Sequence, residues 1–340
     1  MRVLVTGTAG FVGAAVATRL AADDHEVIGV DSVNDYYDPA LKRARLAELA
    51  RLRAGTHHEF DCADAERFDA LVKDTRPDRV VHLAAQAGVR YSLDNPAAYT
   101  RSNVDGFLSV LEACRHHEIE HLVFASSSSV YGANTAMPFS ERHHTDHPVS
   151  LYAATKKANE MMAHTYAHLY GIPCTGLRFF TVYGPWGRPD MSPWLFAERI
   201  FAGTPIDVFN FGKHQRDFTY IDDIVSGVVA TLHAPPTGDS GFDASTPDPS
   251  ISAAPYRIFN IGNGRPVELL HYIRLIEAAA GKEAELNLLP LQPGDVVATY
   301  ADVSALEAAV DYRPTTPIEE GVKRFVEWFR EYRGLAGRTG

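Results

Sequence analysis

A glycine-rich turn near the N-terminus restricts the folds open to this chain more than any other feature. Residues 2–6 predict a short buried strand, and a helix is expected to follow the turn up to about residue 20. Between them stand Gly7, Gly10 and Gly13. In such a unit the first glycine permits a tight turn, the second lets the backbone approach a pyrophosphate, and the third lets helix and strand pack closely. Because the helix N-terminus adds free N–H groups and a positive dipole, the turn predicts a dinucleotide-binding site.

The second predicted strand supports the same kind of site. It covers residues 26–30 and ends at Asp31, about 20 residues past the glycines. A carboxylate at this point accepts hydrogen bonds from the adenosine ribose and repels a 2′-phosphate, so it favours NAD over NADP. The alternative is an aspartate in a solvated turn, and the glycines make the cofactor role the better interpretation.

Strands and helices continue to alternate through the first half of the chain. Further strands are predicted near 57–60, 80–83, 121–125 and 172–178, and helices near 39–53, 96–116 and 151–170. This alternation predicts an α/β protein with a Rossmann-type doubly wound parallel sheet. We expect residues 1–180 to form the NAD-binding domain, which also carries the catalytic residues.

After residue 190 the regular alternation weakens. Helices are expected near 192–203, 221–233, 266–280 and 317–333, and strands near 206–209, 257–261 and 284–288. This pattern predicts a smaller mixed α/β substrate-binding domain over residues 181–340. The boundary is approximate, and some segments after it are expected to return to the first domain. Residues 235–255 have loop composition, which predicts a surface insertion.

The composition argues against several functional classes. A formal net charge of −11 argues against nucleic acid as the main partner. The scattered cysteines Cys62, Cys114 and Cys174 fit a reducing cytoplasm better than a disulfide framework. We expect no membrane partner, because no uncharged apolar run is long enough to cross a bilayer and no signal peptide precedes the first strand. The histidines lack the tight spacing of a metal site, so no bound metal is expected.

Polar side chains gather where the predicted strands end. The run Ser126–Ser129 follows the fifth strand, and hydroxyls at the carboxyl end of a parallel strand face the ligand crevice. Asp61 ends the third strand, where it either binds an adenine amino group or caps the strand. Asn103 lies within a predicted helix, where an unused Asn is unfavourable, so it either orients a loop or binds a ribose. The small residues Ala84–Gly88 let a cofactor lie against the backbone.

Tyr152 and Lys156 stand four residues apart in an Ala-rich segment that predicts a helix, so their side chains share a face. A phenol has an ordinary pKa of about 10 and is a poor base at neutral pH. A neighbouring cation lowers that pKa, so the pair is a candidate general acid/base for a hydroxyl proton. Taken alone, the pair is more typical of an ordinary amphipathic helix than of a catalytic site.

The combined motifs resemble the extended short-chain dehydrogenase/reductase family. The matching pieces are Thr6 with Gly7, Gly10 and Gly13, Asp31, the small residues after Leu83, Asn103, the serine run, and Tyr152 with Lys156. In the second half, residues 216–223 and 292–295 resemble the nucleotide-sugar-binding elements of that family. Because these motifs agree in order and spacing, they outweigh the purely structural interpretation of the Tyr–Lys pair.

The resemblance implies a role for each matched residue. Tyr152 is implied to be the catalytic base, Lys156 its partner, and Ser127 the hydroxyl that bonds the reacting oxygen. The residues implied to hold NAD are Gly7, Gly10, Phe11, Val12, Gly13, Asp31, Asn34, Asp61, Cys62, Leu83, Ala84, Ala85, Gln86, Asn103 and Phe179. Those implied to contact a UDP-sugar substrate are Arg90, Ser128, Thr181, Arg188, Val208, Arg216 and Asp295.

Within this family the chain most resembles the UDP-glucuronate 4-epimerases. The segments that carry the closer match are 34–38, 87–92, 126–132, 147–152 and 178–190. The resemblance implies 4-epimerisation of UDP-glucuronate to UDP-galacturonate through a 4-keto intermediate without decarboxylation. It also implies that NAD is tightly bound and not consumed, and analogy with dimeric relatives suggests a homodimer through the helices near 96–116 and 151–170.

Two local differences separate the chain from other relatives. The family's 4,6-dehydratases carry an Asp-Glu pair where this chain has Ser128 and Ser129, and many relatives carry Asn where it has Thr181. Together with Arg90 and Arg188, Ser128 and Thr181 form a candidate site for a sugar carboxylate, although both arginines fit phosphate binding or an interface ion pair equally well. A UDP-glucuronate decarboxylase, a 4-epimerase of neutral UDP-hexoses and a non-catalytic NAD-binding redox sensor remain alternatives.

Overall fold

The computed structural model describes residues 1–291 and 297–335. Its strands are β1 (Arg2–Thr6), β2 (Glu26–Asp31), β3 (Thr56–Glu59), β4 (Arg79–His82), β5 (His121–Ser127), β6 (Cys174–Phe179), β7 (Thr181–Tyr183), β8 (Ile206–Val208), β9 (Gln215–Tyr220), β10 (Tyr256–Ile261), β11 (Pro266–Glu268), β12 (Leu286–Leu288) and β13 (Ala298–Thr299). Its α-helices are α1 (Phe11–Ala22), α2 (Pro39–Arg51), α3 (Ala65–Thr75), α4 (Tyr91–Asp94), α5 (Pro96–Tyr99), α6 (Gly106–His116), α7 (Leu151–Tyr170), α8 (Ser192–Ala202), α9 (Ile221–Leu232), α10 (Leu269–Ala280), α11 (Ser304–Val310) and α12 (Ile318–Tyr332).

The main sheet contains seven strands in the order β10-β6-β5-β4-β1-β2-β3, and each neighbouring pair is parallel. The chain builds outward from β1 in one direction and then from β4 in the other. This arrangement is a doubly wound sheet and confirms the predicted Rossmann-type fold. In such sheets ligands bind beyond the carboxyl ends of the strands, at the point where the order reverses. That point lies between β1 and β4.

Two apolar layers cover the faces of the main sheet. Val3 and Val5 of β1 pack into one layer with residues of α1 and α9. Leu4 points the other way and packs with residues of α3, α6 and α7. Successive side chains of a strand point to opposite faces, and both faces are buried here. The central strands are therefore apolar throughout rather than alternating.

The C-terminal half of the chain contributes to the main sheet as well as to a separate region. Strand β10 extends the sheet beside β6, and helix α9 packs beside α1. The separate region contains the β11-β9-β13 ladder with β7 paired to β9, and the β8–β12 pair. Of the described residues, those at 235–255 belong to no helix and no named strand.

One predicted helix differs from expectation. The segment 96–116 was expected to be continuous, but it divides into α5, a π-helical turn at Thr100–Asp105, and α6. The wider turn contains Asn103, which is buried and directs its side chain toward the loop after β4. A π turn inserts an extra residue, and such turns often mark functional regions of a helix.

Candidate active site

A cleft opens at the carboxyl ends of β1 and β4 and gathers most of the predicted site residues. The residues predicted to hold a dinucleotide that line it are Gly7, Gly10, Phe11, Val12, Gly13, Asp31, Asn34, Asp61, Cys62, Leu83, Ala84, Ala85, Gln86 and Phe179. The predicted catalytic and substrate residues that line it are Ser127, Ser128, Tyr152, Lys156, Thr181 and Arg188. The cleft therefore joins a dinucleotide-type turn to a set of titratable and hydroxyl groups.

The glycine turn is packed so tightly that side chains are excluded from it. Gly7 has a φ of +80°, and a Cβ placed there would lie 2.8 Å from the backbone nitrogen of Ala84. A Cβ on Gly13 would lie 2.0 Å from the carbonyl oxygen of Gly7. The turn thus brings the loops after β1 and β4 into contact, while Gly10 begins helix α1 with its free N–H groups toward the cleft.

Asp31 at the end of β2 is fixed by backbone donors rather than solvated in a turn. Its Oδ2 accepts a hydrogen bond from the amide of Ala9 at 3.0 Å, and its Oδ1 accepts one from the amide of Val33 at 2.8 Å. Each carboxylate oxygen can accept more than one hydrogen bond, so acceptor capacity remains toward the cleft. Asp31 therefore ties the glycine turn to β2 and presents a negative group beside it.

Tyr152 and Lys156 lie on the first turns of α7. The helix begins at Ser150, whose hydroxyl accepts a hydrogen bond from the amide of Ala153 at 3.1 Å. The Nζ of Lys156 donates to the carbonyl oxygen of Ala125 at the end of β5, at 3.0 Å. Burial lowers the pKa of Lys156 to about 8. The helix cap and the strand end together position the pair.

The electrostatics of Tyr152 differ from the simple expectation of a phenol activated by Lys156. Burial raises the pKa of Tyr152, while a hydrogen bond with the Ser127 side chain and the charge of Arg188 lower it, and burial prevails. The cation that acts on Tyr152 here is therefore Arg188, which follows β6 and β7 in the chain and could not be found from helix spacing. A cation in the cleft would stabilise the phenolate further.

A buried ion pair holds α7 against the sheet one turn beyond Lys156. Glu160 is 1% exposed and accepts two hydrogen bonds from Arg178 of β6, at 2.8 and 2.9 Å. It also accepts a hydrogen bond from the hydroxyl of Ser126 at 2.7 Å. Ala125, Ser126 and Ser127 at the end of β5 thus each contact α7.

Arg188 reaches the cleft, but one edge of its guanidinium is already engaged. Its Nε and Nη2 donate to the two oxygens of Asp190, at 3.0 and 2.5 Å, and the hydroxyl of Tyr36 donates to the same carboxylate at 3.0 Å. Burial opposes the charge of Arg188, but Asp190 outweighs it and holds the pKa of Arg188 above its ordinary value. A two-pronged contact with a substrate carboxylate through this edge would require Asp190 to release it.

Four of the predicted site residues that the structure describes are not among those that line the cleft, and a fifth lies outside the described residues. Asn103 is 1% exposed, and its side chain bonds the backbone of Gln86 and the hydroxyl of Thr155, so it orients the loop after β4. Val208 is fully buried in the core. The exposed Arg90 lies over the ring of Phe209.

The other two belong to the C-terminal region. Arg216 donates to the carbonyl oxygens of Gln215 and Val297, near the β9–β13 pair. Asp295 lies outside the described residues. The structure thus gathers the predicted groups of the first half of the chain more completely than those of the second half.

Sequence patterns assigned no individual role to Tyr36, Lys42 or Asp190. Tyr36 and Lys42 line the cleft, and the Nζ of Lys42 donates to the backbone and side-chain oxygens of Asn34 at 2.7 and 2.5 Å. A signal for Lys42 was present, because it lies beside Leu41 on the buried side of α2, where a charged residue is unusual. The contact of Asp190 with Tyr36 joins positions 154 residues apart and leaves no local pattern.

A buried histidine behind the cleft is held neutral by its surroundings. The hydroxyl of Thr6 accepts hydrogen bonds from the amides of Leu83 and Ala84, both at 3.1 Å. It therefore donates its own hydrogen to the Nδ1 of His82, at 2.9 Å, which requires that nitrogen to be unprotonated. Burial, together with the charge of Lys156, lowers the pKa of His82 to about 3.

We expect His82 to make the protein acid-sensitive. In the unfolded chain this histidine takes up a proton near pH 6.5, whereas in the folded protein it does so only near pH 3. Its contribution to the free energy of unfolding is therefore complete above pH 6.5 and is lost as the pH falls from 6.5 toward 3. The loss from pH 6.5 to 5 is about 2 kcal/mol at 1.36 kcal/mol per pH unit. Denaturant unfolding at both pH values should show a smaller pH dependence for His82→Asn than for the wild type. His58→Asn, on the exposed side of β3, is the control, and equal slopes for the two variants would contradict the assignment.

The described residues were compared with the requirements of a metal site and of a membrane-spanning helix. They contain no group of three or more His, Cys, Asp or Glu side chains placed to hold a metal ion. No helix among them combines the length and apolar character needed to cross a membrane.

The fold and the site together define a protein of the extended short-chain dehydrogenase/reductase class. The model of the NAD-dependent epimerase/dehydratase family matches residues 3–262, and the chain belongs to that family. A probable UDP-glucuronate 4-epimerase of Rhizobium meliloti (strain 1021) is 47% identical over 335 residues, covering 98% of each chain. UDP-glucuronate 4-epimerase 4 of Arabidopsis thaliana is 48% identical over 97% of this chain and 75% of its own length.

Solved structures give the same picture. The UDP-glucuronic acid 4-epimerase from Bacillus cereus, in complex with UDP-glucuronic acid and NAD, superposes with a TM-score of 0.86 at 30% identity. The match covers 98% of this chain and 100% of that one. The likeness therefore extends over both the main sheet and the C-terminal region.

Proposed function

We propose that this protein catalyses the NAD-dependent 4-epimerisation of UDP-glucuronate to UDP-galacturonate, without decarboxylation. The observation that carries the proposal is that one cleft holds the dinucleotide-type turn, the hydrogen-bonded Ser127 and Tyr152, and the cation Arg188. Relatives named as UDP-glucuronate 4-epimerases match nearly the whole chain, which supports this substrate over other sugars. The enzyme is an isomerase.

The cleft fits NAD as the resident cofactor. A Cβ on Gly7 or Gly13 would clash with the backbone of the turn or of the loop after β4, so only glycine permits this shape of the turn. Asp31 presents a carboxylate that suits an unphosphorylated ribose. When bound, NAD supplies the oxidation and the reduction at C4 of the sugar, so it ends each turnover unchanged. The residues proposed to hold it are those of the glycine turn, Asp31, Asn34, Asp61, Cys62, Phe179 and the loop from Leu83 to Gln86, with Asn103 supporting that loop.

Asp31 should decide whether the cofactor stays bound. Asp31→Ala removes the acceptor for the Ala9 amide as well as the group facing the ribose. We expect NAD affinity to fall about 10- to 100-fold, as for the loss of one or two hydrogen bonds to a charged group. Calorimetry of NAD binding to protein freed of its bound NAD measures this, with Asp23→Ala at the exposed end of α1 as the control. Unchanged NAD affinity in Asp31→Ala would contradict the role.

Residues of the protein remove the proton from the sugar O4 and return it. Tyr152 takes that proton when C4 is oxidised and returns it when C4 is reduced, while Ser127 donates a hydrogen bond to the same oxygen. Lys156, held by the carbonyl oxygen of Ala125, places its charge on the Tyr152 side of the cleft. The sugar must turn between the two half-reactions, so that its other face is presented for reduction.

The carboxylate of the sugar needs separate handling, because a 4-keto uronate is a β-keto acid and loses carbon dioxide readily. Ser128, Thr181 and Arg188 line the cleft near Tyr152 and are the proposed contacts of this carboxylate. Hydrogen bonds and charge that hold the carboxylate ionised and in one orientation disfavour cleavage of its bond to C5. Arg90 lies over Phe209 and is proposed to act at the rim of the site.

The C-terminal region is proposed to hold the nucleotide end of the substrate through Arg216 and Asp295, as part of a domain over residues 181–340. The buried Val208 is proposed to support this region from the core. Asp217, next to Arg216, organises this region. It is fully buried and accepts hydrogen bonds from the amides of Asn263, Gly264 and Ala301, at 2.7, 2.9 and 3.0 Å. Arg216 stands in β9 itself, between β11 and β13.

We further propose that the protein is a cytoplasmic homodimer. The outer faces of α6 and α7 carry the exposed apolar side chains Leu108, Met161 and Leu169, which a second copy would cover. The three cysteines are free and buried, which suits a reducing compartment. Light scattering tests the dimer, and a monomeric mass at micromolar concentration would refute it.

The proposed activity is tested by incubating the purified protein with UDP-glucuronate, without added NAD, and resolving the products by chromatography. A mixture of UDP-glucuronate and UDP-galacturonate supports the proposal, whereas UDP-pentose would move the assignment to a decarboxylase. Parallel reactions with UDP-glucose and UDP-N-acetylglucosamine distinguish a 4-epimerase of neutral sugars. No turnover of any of these sugars, with NAD bound, would favour a redox sensor.

A further inference from the structure

Arg45 on α2 is a buried cation whose donors all point at carbonyl and hydroxyl oxygens. It is 1% exposed, and no ion pair joins it to a carboxylate among the described residues. Such burial is rare for arginine and costly unless every donor is satisfied. Position 45 also falls on the stripe of Leu41 and Leu49, where helix periodicity calls for an apolar side chain. Core packing therefore does not explain the arginine at this position, and its hydrogen bonds must.

The acceptors of Arg45 belong to three loops, which follow β1, β2 and β7. Its Nη1 donates to the carbonyl oxygen of Ala9 within the glycine turn, at 2.9 Å, and to the hydroxyl of Tyr37 at 2.7 Å. Its Nε and Nη2 donate to the carbonyl oxygen of Trp186, at 3.1 and 2.7 Å, and Nη2 also reaches that of Gly187 at 3.1 Å. A single guanidinium thus bridges the turn after β1 and the loop after β7.

The bridged loop is the one that presents Arg188. Trp186 has a φ of +64°, which is uncommon for a bulky residue and must be held by its surroundings. Arg45 donates two hydrogen bonds to the carbonyl oxygen of Trp186. The ring of Trp186 packs on Trp328 and Tyr332 of α12, with ring centroids 5.3 and 5.7 Å away. The backbone that leads directly into Arg188 is therefore fixed from both sides.

We propose that Arg45 is a positioning residue that couples cofactor binding to recognition of the sugar carboxylate. It holds the glycine turn in the shape that receives a pyrophosphate, and it holds the Trp186–Gly187 backbone so that Arg188 faces the sugar. Arg45 itself does not line the cleft, so it acts through these two loops. The part of this inference that concerns the carboxylate rests on the proposed function.

The test compares Arg45→Met and Arg45→Lys with the same changes at Arg43. Arg43 lies on the same helix but is exposed and paired with Glu59, so its variants control for changes in α2. Calorimetry first measures NAD binding to protein from which the bound NAD has been removed, and then the affinities for UDP-glucuronate and for UDP-glucose with NAD saturating. Neither measurement depends on turnover, so they remain informative even if the wild type fails to epimerise UDP-glucuronate, which would refute the proposed function alone.

In Arg45→Met we expect NAD affinity to fall about 10- to 100-fold, the size of one or two lost charge-assisted hydrogen bonds. The preference for UDP-glucuronate over UDP-glucose should fall about tenfold in the same variant, with Arg45→Lys intermediate. Arg43 variants should match the wild type. Wild-type values in both Arg45 variants would overturn the inference, and so would a loss of NAD affinity with an unchanged sugar preference. If Arg45→Met does not fold, Arg45→Lys decides by the same comparison.

Discussion

Tyr152→Phe should lower the turnover of UDP-glucuronate about 1000-fold while leaving the fold and NAD content intact. The change removes one hydroxyl from a residue that is hydrogen-bonded to Ser127, and proton transfer by a positioned group contributes roughly 10²- to 10⁴-fold. The ring remains to fill its place near Tyr99, whose ring centroid lies 6.0 Å away. Initial rates under saturating substrate, together with the NAD-to-protein ratio after gel filtration, measure the effect.

Tyr170→Phe is the matched control, because Tyr170 lies at the exposed end of the same helix. We expect it to keep wild-type turnover. A Tyr152→Phe enzyme within tenfold of the wild type would remove Tyr152 from the proton transfer. If Tyr152→Phe lost its NAD as well as its activity, the tyrosine would be needed for cofactor binding rather than for the proton alone.

Arg178→Met should be the most destabilising single change among those considered. It leaves the buried, ionised Glu160 with only the more distant cation Lys157, 3.4 Å away. Breaking a buried pair in this way costs about 3–5 kcal/mol of unfolding free energy. Burial opposes the ionisation of Glu160, yet Arg178 outweighs it and holds the pKa of this carboxyl below its ordinary value. Denaturant unfolding monitored by circular dichroism measures the loss.

The pair also predicts strong non-additivity. Adding Glu160→Gln to Arg178→Met removes the uncompensated charge, so the double variant should be less destabilised than the two single changes combined. Arg19→Met, which breaks the exposed pair with Asp23, should have a much smaller effect. If Arg178→Met behaved like Arg19→Met, the pair would not hold α7 against the sheet.

The fold of the first half could be predicted from local sequence patterns. Strand β1, the glycine turn and Asp31 follow one another in the sequence. Their spacing is typical of a strand–turn–helix unit that binds a pyrophosphate at the helix N-terminus, so it predicts the fold and the site together. The central strands are mostly apolar because both faces of the sheet are buried there, so even a short run such as Val80–Leu83 was recognisable. The Tyr152–Lys156 pair was equally visible from helix spacing.

The remaining features depend on contacts between distant parts of the chain. Strand β10 joins the main sheet from the C-terminal half, and its position beside β6 follows from tertiary packing. The contact of Asp190 with Tyr36 and the hold of Arg45 on Trp186 join residues more than 140 positions apart. The π-helical turn at Asn103 likewise depends on the Gln86 loop. None of these contacts can be predicted from the periodicity of apolar residues. Only the position of Arg45 on the apolar stripe of α2 indicated in the sequence that this residue has an unusual role.

The most direct test of the account is to run the reaction in deuterium oxide from both directions and follow it by proton NMR. Starting from UDP-glucuronate or from UDP-galacturonate, the account predicts one common equilibrium mixture, a conserved total of UDP-uronate, and protium retained at C4 in both sugars. It predicts this without added NAD, because the cofactor is held and restored in each turnover. Appearance of UDP-pentose as the main product, or deuterium at C4, would contradict it.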